Sequence, residues 1–391
     1  MSAAITSIGA ITGHGLGCGP LLRAVLEGRS AIRKVTRFSC EGLCSSLAAE
    51  APNDTELIKA AEGLGQSPSD RSSRLLLAAA SEALVGRNLS PSERRAVLMG
   101  TTKGALELAV DRWNSSEVPR DDTVGAPARC LALATGTEGP VLTLSAACAS
   151  SAVAIGEALA LIEDGTCDEA IVGGTEALHS FVYWGFHALK ALSPTPAAPF
   201  DAGRCGLSLG EGAAVLVLES LERAHRAGRA PIAIVEGFGS STDGFDQLAP
   251  EPSGTGLVLA CRRAMEHAAA DEQAVDRYHA HGTATVHNDR MEATAHAALF
   301  SGRAVPVCAV KGSIGHTLGA AGALDIAICA LTLQRQVLPP IANLREVDAL
   351  ARVPAVIGAA RSDSGRLALA VSAGFGGINA ALLLRYPGAI Q

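Results

Sequence analysis

Residues 141–163, VLTLSAACASSAVAIGEALALIE, decide how the rest of the chain is read. Val141 to Leu144 is β-branched and leucine-rich and predicts a buried strand. The chain then passes through Ser145, Ala146 and Ala147 into Cys148. A helix follows, with Ala152, Val153, Ile155, Ala158, Leu159 and Ile162 on its apolar face and Gly165 placed to stop it. Cys148 therefore stands at a tight strand-to-helix turn. Unpaired N–H groups and the positive end of the helix dipole favour a thiolate there, and the small neighbours leave room for a substrate. A buried cysteine can equally be an inert small hydrophobe, so the remaining sequence has to decide.

Composition narrows the classes. The chain has 391 residues, 48% hydrophobic and only 18% charged, which describes a compact protein with a large core. Aromatics are 3%, so Ala, Gly, Leu and Val must supply the core, with backbones packed closely. A net charge of −7 argues against general nucleic-acid binding. The ten cysteines form no CxxC pair or regular spacing, so free thiols in a reducing cytoplasm are expected. The opening MSAAITSIGAITGHG has neither a basic segment nor a long apolar one, and no signal peptide is expected. Leu367 to Leu384 approaches membrane-span length, but Gly374, Gly376, Gly377 and Asn379 make it two strands around a turn, so no membrane segment is expected.

Upstream, residues 3–12 read as a strand and Leu21 to Glu27 as a helix after a glycine-rich turn. Gly15 and Gly17 do not complete a dinucleotide fingerprint. Residues 35–70 read as loop-rich, Pro68 to Gly86 as a helix, Ala96–Gly100 as a strand with the turn TTKG, residues 111–128 as loop, and Ala170–Gly174 as a strand. The pattern then restarts. Ile232–Gly239 resembles the opening strand, Val258–Ala270 supplies a helix, and Tyr278–His281 enters HGTAT as the earlier strand enters TTKG. Val305–Val310 and the glycine-rich segment to Ala330 repeat the cysteine segment, and Leu367–Ser372 parallels AIVGG. Two α/β halves, 1–230 and 231–391, are expected to pack two sheets between helix layers, with a cleft where the turns of both halves meet.

Three segments of the second half carry polar chemistry at strand ends: His279-Ala-His281-Gly-Thr-Ala-Thr with Asp289 and Glu292; Lys311-Gly-Ser-Ile-Gly-His316 with GAAG; and Gly374-Phe375-Gly376-Gly377-Ile378-Asn379. With Pro199-Phe-Asp201 and GEGAAVLVLE, they make the sequence resemble the β-ketoacyl-acyl-carrier-protein synthases of the elongating Cys-His-His type, over nearly the whole chain. That resemblance implies a thiolase-like α/β fold, two duplicated halves in a five-layer α-β-α-β-α sandwich. It implies Cys148 as the acyl-accepting nucleophile, His281 and His316 as the histidines that handle a malonyl unit, and Lys311 as the family's lysine. Phe375 matches the gating phenylalanine, whose N–H joins that of Cys148 in an oxyanion hole. Thr283 and Thr285 match the threonines lining the pantetheine tunnel, and Asp289 and Glu292 match acids that hold the lysine and the loop.

The implied reaction is decarboxylative Claisen condensation of a malonyl group on an acyl carrier protein with an acyl group held on Cys148. It belongs to fatty-acid or type II polyketide or polyene elongation and needs no metal and no cofactor beyond the carrier's phosphopantetheine. A soft thiolate exchanges readily with a thioester, and imidazole N–H donors stabilise the enolate oxygen. The partners expected are an acyl carrier protein and a related subunit, in a homodimer or a heterodimer. The alternative is a chain-length-factor-like partner, which usually lacks the cysteine. A thiolase would need a second cysteine near Gly374-Phe375-Gly376, and starter-type synthases carry Asn where His316 stands.

Other residues read more plainly. His279 is expected to be a packing or subunit-contact residue, and His279, His281, His287 and Asp289 lack metal-site spacing. Glu211 and Asp201 with Arg204 read as structural contacts. Arg33, Lys34 and Arg37 form a basic cluster, either a carrier contact or a solvated face. Departures from the family pattern are Asp325, nine residues after His316 where Glu is usual; Leu248-Ala249-Pro250 where a Thr is common; and a short Gly104–Pro140 segment. They point towards a specialised pathway.

Overall fold

The computed structural model describes residues 2–114 and 124–388. Residues 115–123, within both the segment read as loop and the Gly104–Pro140 segment, lie outside the described residues. Ten strands carry the architecture: β1 (Ala3–Thr12), β2 (Arg95–Gly100), β3 (Val141–Leu144), β4 (Glu169–Glu176), β5 (Gly212–Ser220), β6 (Ala233–Thr242), β7 (Arg277–His279), β8 (Val307–Cys308), β9 (Leu367–Gly374) and β10 (Ile378–Arg385). They lie in the order β8-β7-β9-β10-β6-β1-β5-β4-β2-β3, and Gly15–Leu16 pairs with β1 as an eleventh strand.

The two sides of this sheet are equivalent. β1-β5-β4-β2-β3 reads outward like β6-β10-β9-β7-β8, with the two outermost pairings parallel on each side and the β4–β5 and β9–β10 pairings antiparallel. The halves join edge to edge, where β1 pairs antiparallel with β6 over Ala3–Ile5 and Ala233–Val235. The two expected sheets are thus continuous at one edge. The repeat continues in the helices α1 (Arg71–Ala83), α2 (Ala126–Thr135), α3 (Ser150–Glu163), α4 (Ser180–Ala188), α5 (Thr255–His267), α6 (Val286–Phe300), α7 (Lys311–Ile314) and α8 (Ala321–Gln334).

Helices α3 and α8 form the middle layer. Ile155, Leu159, Leu324 and Ile328 share one core with β4 and β5 on one side and β9 and β10 on the other. α1 and α2 cover the outer face of the first half, and α5 and α6 that of the second. The result is the five-layer α-β-α-β-α sandwich of the thiolase-like fold. Strands covered on both faces are buried throughout, as in β4, AIVGG and its flanks. With few aromatics, the middle layer closes on small residues. A Cβ on Gly322 of α8 would lie 2.6 Å from the Ala152 N of α3, and one on Gly100 would lie 2.2 Å from Ser151 N.

Four expectations change. The segment read as loop over 111–128 opens in a helix, Leu106–Asn114, and runs into α2 from Ala126. Val141–Leu144 is a strand but not a buried one. It closes the sheet beyond β2, has no second neighbour among the described residues, and leaves Leu142 41% exposed. Residues 286–300, not read as helix, form α6. The strand expected over Val305–Val310 shortens to Val307–Cys308, because the chain turns at once into α7.

Candidate active site

The Cys148 segment is built under strain. Ala147 adopts φ of 49°, a left-handed conformation rare for a residue with a Cβ, immediately before Cys148. Ser150, fully buried, braces the bend: the Ala146 N–H donates to its Oγ at 2.9 Å, and its hydroxyl donates to the Ala147 carbonyl at 2.6 Å. Gly374 presses on the other side, where an added Cβ would stand 3.1 Å from Cys148 N. Its neighbour Phe375 turns its N–H towards the Cys148 sulfur and stacks on Phe186, ring centroids 5.9 Å apart.

Two loops of the second half bring the histidines to this sulfur. His316 Nε2 lies 3.1 Å from Cys148 Sγ. The His281 ring stands edge-on to that of His316 at 5.3 Å between centroids. The loop carrying His281 is tied to α6. Glu292 accepts from the His281 and Gly282 N–H groups at 2.7 and 2.8 Å and from the Tyr278 hydroxyl at 3.2 Å. Asp289 accepts from the Phe200 and Ala284 N–H groups at 2.8 and 3.2 Å and faces Arg204 Nε at 3.2 Å. Both acids hold the loop, while the lysine is held elsewhere: Lys311 Nζ donates to Asp325 Oδ2 at 2.8 Å.

Burial sets the electrostatics. It drives both histidines down, aided by the Lys311 charge: His281 well below the usual imidazole range, and His316 to about 3. Both rings are neutral at physiological pH. Burial likewise pushes the Cys148 thiol up to about 11, against the pull of Lys311 and Lys103. The helix N-terminus expected to favour a thiolate is outweighed by the burial of the sulfur. Burial raises Asp289 to about 6 and Glu292 to about 7.

Cys148, His281 and His316 floor a cavity of about 390 Å³. Thr283 and Thr285 line it, their hydroxyls 2.8 Å apart, with Phe375, Lys190 and Leu248-Ala249-Pro250 on other walls. Leu248 puts an apolar wall where the family usually offers a threonine. Several residues of the site escaped the sequence reading, Phe186 and Lys190 on the cavity wall among them. Lys103, in the TTKG turn after β2, adds a second cation acting on Cys148 and His316, and its position in a strand-end turn equivalent to HGTAT was the available signal. Ser150 was visible only as a helix-start serine. Glu211 binds Arg71 and Arg37, and Arg204 binds Asp289 and Asp348, so Arg204 and Glu211 belong to different structural clusters. Asp201 caps the Arg345 and Glu346 N–H groups. His279 lies inside the chain, facing α8, and is no surface contact.

A duplicated sandwich whose cysteine elbow from one half meets two histidine loops from the other defines the thiolase-like class. Within it, residues 2–224 match the family model for the beta-ketoacyl synthase N-terminal domain and residues 232–345 that for the C-terminal domain, and the chain belongs to the β-ketoacyl synthase family. It is 34% identical to the tetracenomycin polyketide synthase ketoacyl synthase alpha subunit of Streptomyces glaucescens, over 98% of this chain and 96% of that one. It is also 34% identical to the 3-oxoacyl-[acyl-carrier-protein] synthase 2 of Rhizobium meliloti, over 96% of this chain and 98% of that one. The solved ishigamide ketosynthase/chain length factor superposes with a TM-score of 0.91 at 29% identity, covering 98% of this chain and 99% of that chain.

Proposed function

We propose that this chain is a ketosynthase that joins a malonyl unit on an acyl carrier protein to an acyl group held on Cys148. The observation that carries the reading is the Cys148 sulfur 3.1 Å from His316 Nε2, at the floor of a cavity shared with His281. In the first step Cys148 Sγ attacks the acyl thioester carbonyl. Cys148 attacks as the thiolate, its proton released beforehand; the S–C bond to pantetheine breaks, and the departing thiolate takes up a proton in turn. N–H groups of Cys148 and Phe375 hold the tetrahedral oxyanion. In the second step malonyl thioester loses CO2, and the neutral imidazoles of His281 and His316 donate to the enolate oxygen. The carbanion then forms a C–C bond with the acyl carbonyl, the Cys148 S–C bond breaks, the freed Cys148 thiolate takes up one proton, and a β-ketoacyl thioester leaves on the carrier.

In this scheme Lys311 keeps the histidines neutral, Thr283 and Thr285 contact pantetheine, and Phe375 gates the floor. Asp289, Glu292 and Asp325 are supports. Loss of CO2 supplies the driving force, so the reaction asks for no metal or redox cofactor. Residues 1–230 contribute the nucleophile and 231–391 both histidines. The exposed edge strand β3 supports pairing with a related ketosynthase-like chain, a second copy or a chain-length-factor subunit. Exposed Arg33 and Lys34 offer a surface to an acidic carrier, while Arg37 is already paired with Glu211. Ten free cysteines support a cytoplasmic setting, and no described helix is long and apolar enough to cross a membrane. A partner subunit that only shapes a tunnel has no use for the Cys148–His316 contact.

Intact-protein mass spectrometry with a panel of acyl-carrier-protein thioesters tests this reading. A single acyl adduct is expected, absent in Cys148→Ala; an adduct that survives the substitution overturns it. The best-loaded chain length then separates primary from specialised metabolism.

A further inference from the structure

His279, two residues before His281, ends β7. Its register partners on the neighbouring strands are Cys308 and Ala370. The ring points into the middle layer and is 3% exposed. There its Nε2 lies 3.7 Å from Asp325 Oδ1, on α8, while Lys311 Nζ takes the other oxygen at 2.8 Å. Neither His279 Nε2 nor Asp325 Oδ1 has a hydrogen-bond partner among the described residues, and both atoms are buried. The two unpaired atoms face each other across 3.7 Å. Asp325 is also the position where the family usually carries Glu, and the shorter side chain leaves one carboxylate oxygen short of its surroundings.

We infer that His279 is a second cation on Asp325, a positioning residue that completes a Lys311–Asp325–His279 chain behind the two active-site histidines. The inference rests on the proposed roles of His281 and His316. A Lys–Asp pair alone is neutral overall; adding an imidazolium leaves one net positive charge beside two imidazoles that must stay uncharged. The groups facing His279 are consistent with this. Asp325 and Cys329 come from α8, and Cys308 from β8 carries a thiol that burial pushes to about 12, so it remains neutral. Ala370 from β9 contributes no charge. Burial works against the imidazolium, yet the contacts with Asp325 and Cys329 hold His279 up at about 9. The imidazole fills the volume a glutamate's extra methylene would otherwise approach, so residues 279 and 325 act as one unit.

The test uses the whole chain, with CO2 release from malonyl-carrier-protein as the rate. His279→Asn should lower kcat roughly tenfold with little change in KM, within the range for directly coupled buried groups. Asp325→Glu should also slow the enzyme when His279 is present, because the longer side chain collides with the ring. In the His279→Asn/Asp325→Glu double variant, the rate should recover to within about threefold of wild type. Losses that simply add would overturn the pairing. The charge is read without turnover, by ring-nitrogen NMR of the histidine-labelled chain near pH 7.5. Both His279 nitrogens should be protonated, with Asp325→Asn assigning the resonance if the His279 variants fail to accumulate. A neutral His279 ring overturns the inference. A wild-type chain that shows the charged ring but releases no CO2 would instead overturn the ketosynthase reading and leave the pairing intact.

Discussion

Ser150→Ala separates the two half-reactions. The Ser150 hydroxyl is fully buried and makes two bonds across the elbow, accepting from the Ala146 N–H and donating to the Ala147 carbonyl. Its removal leaves a buried N–H unpaired, which costs about 1–3 kcal/mol of stability. It also releases the residue that holds Ala147 at φ 49°. A non-glycine residue in that region stores on the order of 1–3 kcal/mol, and relaxation of the bend moves the Cys148 sulfur. If most of that strain positions the sulfur, acyl transfer should slow roughly ten- to a hundredfold, at about 1.4 kcal/mol per decade. The enolate site is built by different segments, Glu292 beneath His281 and the α7 turn beneath His316. Decarboxylation of malonyl-carrier-protein should therefore stay within about threefold of wild type, the residue of a small packing change. The assay pairs the rate of the acyl-Cys148 mass adduct with CO2 release on the same preparation. Equal losses in both would refute the reasoning, because they would mean a general unfolding of the middle layer. A full loss of stability with unchanged loading would refute it too, since the strain would then have no bearing on the sulfur.

Further outcomes follow from the electrostatics. Acyl loading should climb about tenfold per pH unit through neutrality, because the Cys148 thiol ionises only near 11. With the Glu292 titration removed in Glu292→Gln, malonyl decarboxylation should lack a limb near pH 6.5, because His316 titrates at about 3 and His281 well below its ordinary range; a limb in that variant would count against neutral imidazoles. Glu292→Gln should be nearly silent at pH 6 and cost several-fold in decarboxylation at pH 8.5, since glutamine mimics the protonated acid that prevails below about 7. The sign of the linkage agrees. Glu292's folded value is raised above its ordinary 4.5, so its contribution to stability is complete below 4.5 and lost as pH rises through about 7. Thermal melts of wild type and Glu292→Gln across that window should converge at the acid end.

Periodicity and small-residue content carried most of the fold into view. AAITSIGAIT and AIVGG are strands because apolar runs bounded by glycine turns have little alternative, and the restart near residue 230 follows the equivalence of β1–β5 with β6–β10. The elbow was legible from strand, small residues and helix in succession. What stayed hidden had polar interiors. α6 carries Asn288, Asp289, Glu292 and His296 on its buried side, so no apolar stripe marks it; its inner face is charged because it has a loop to hold. Strand β3 looked buried because hydrophobicity alone cannot distinguish a central strand from an edge one. The charge state of Cys148 was misjudged for a related reason: the helix end is a local feature, whereas the desolvation that outweighs it comes from segments far away in sequence.

That last point explains why the chemistry is divided between the halves. An exposed thiol at a helix end would be a standing thiolate, open to oxidation and to any electrophile. Here the thiol is kept neutral by burial, and the cations that favour its ionisation, Lys103 and Lys311, come from separate turns of the two halves. The same lysine that lowers the Cys148 thiol depresses the histidines, so one buried charge serves the opposite demands of the proposed nucleophile and the proposed uncharged donors. Such a charge must be held firmly, for an unpaired lysine in this layer would cost several kcal/mol. Asp325 supplies the counter-charge from the middle helix, which packs against strands of both halves, and this places the counter-charge for both proposed steps at the centre of the sandwich.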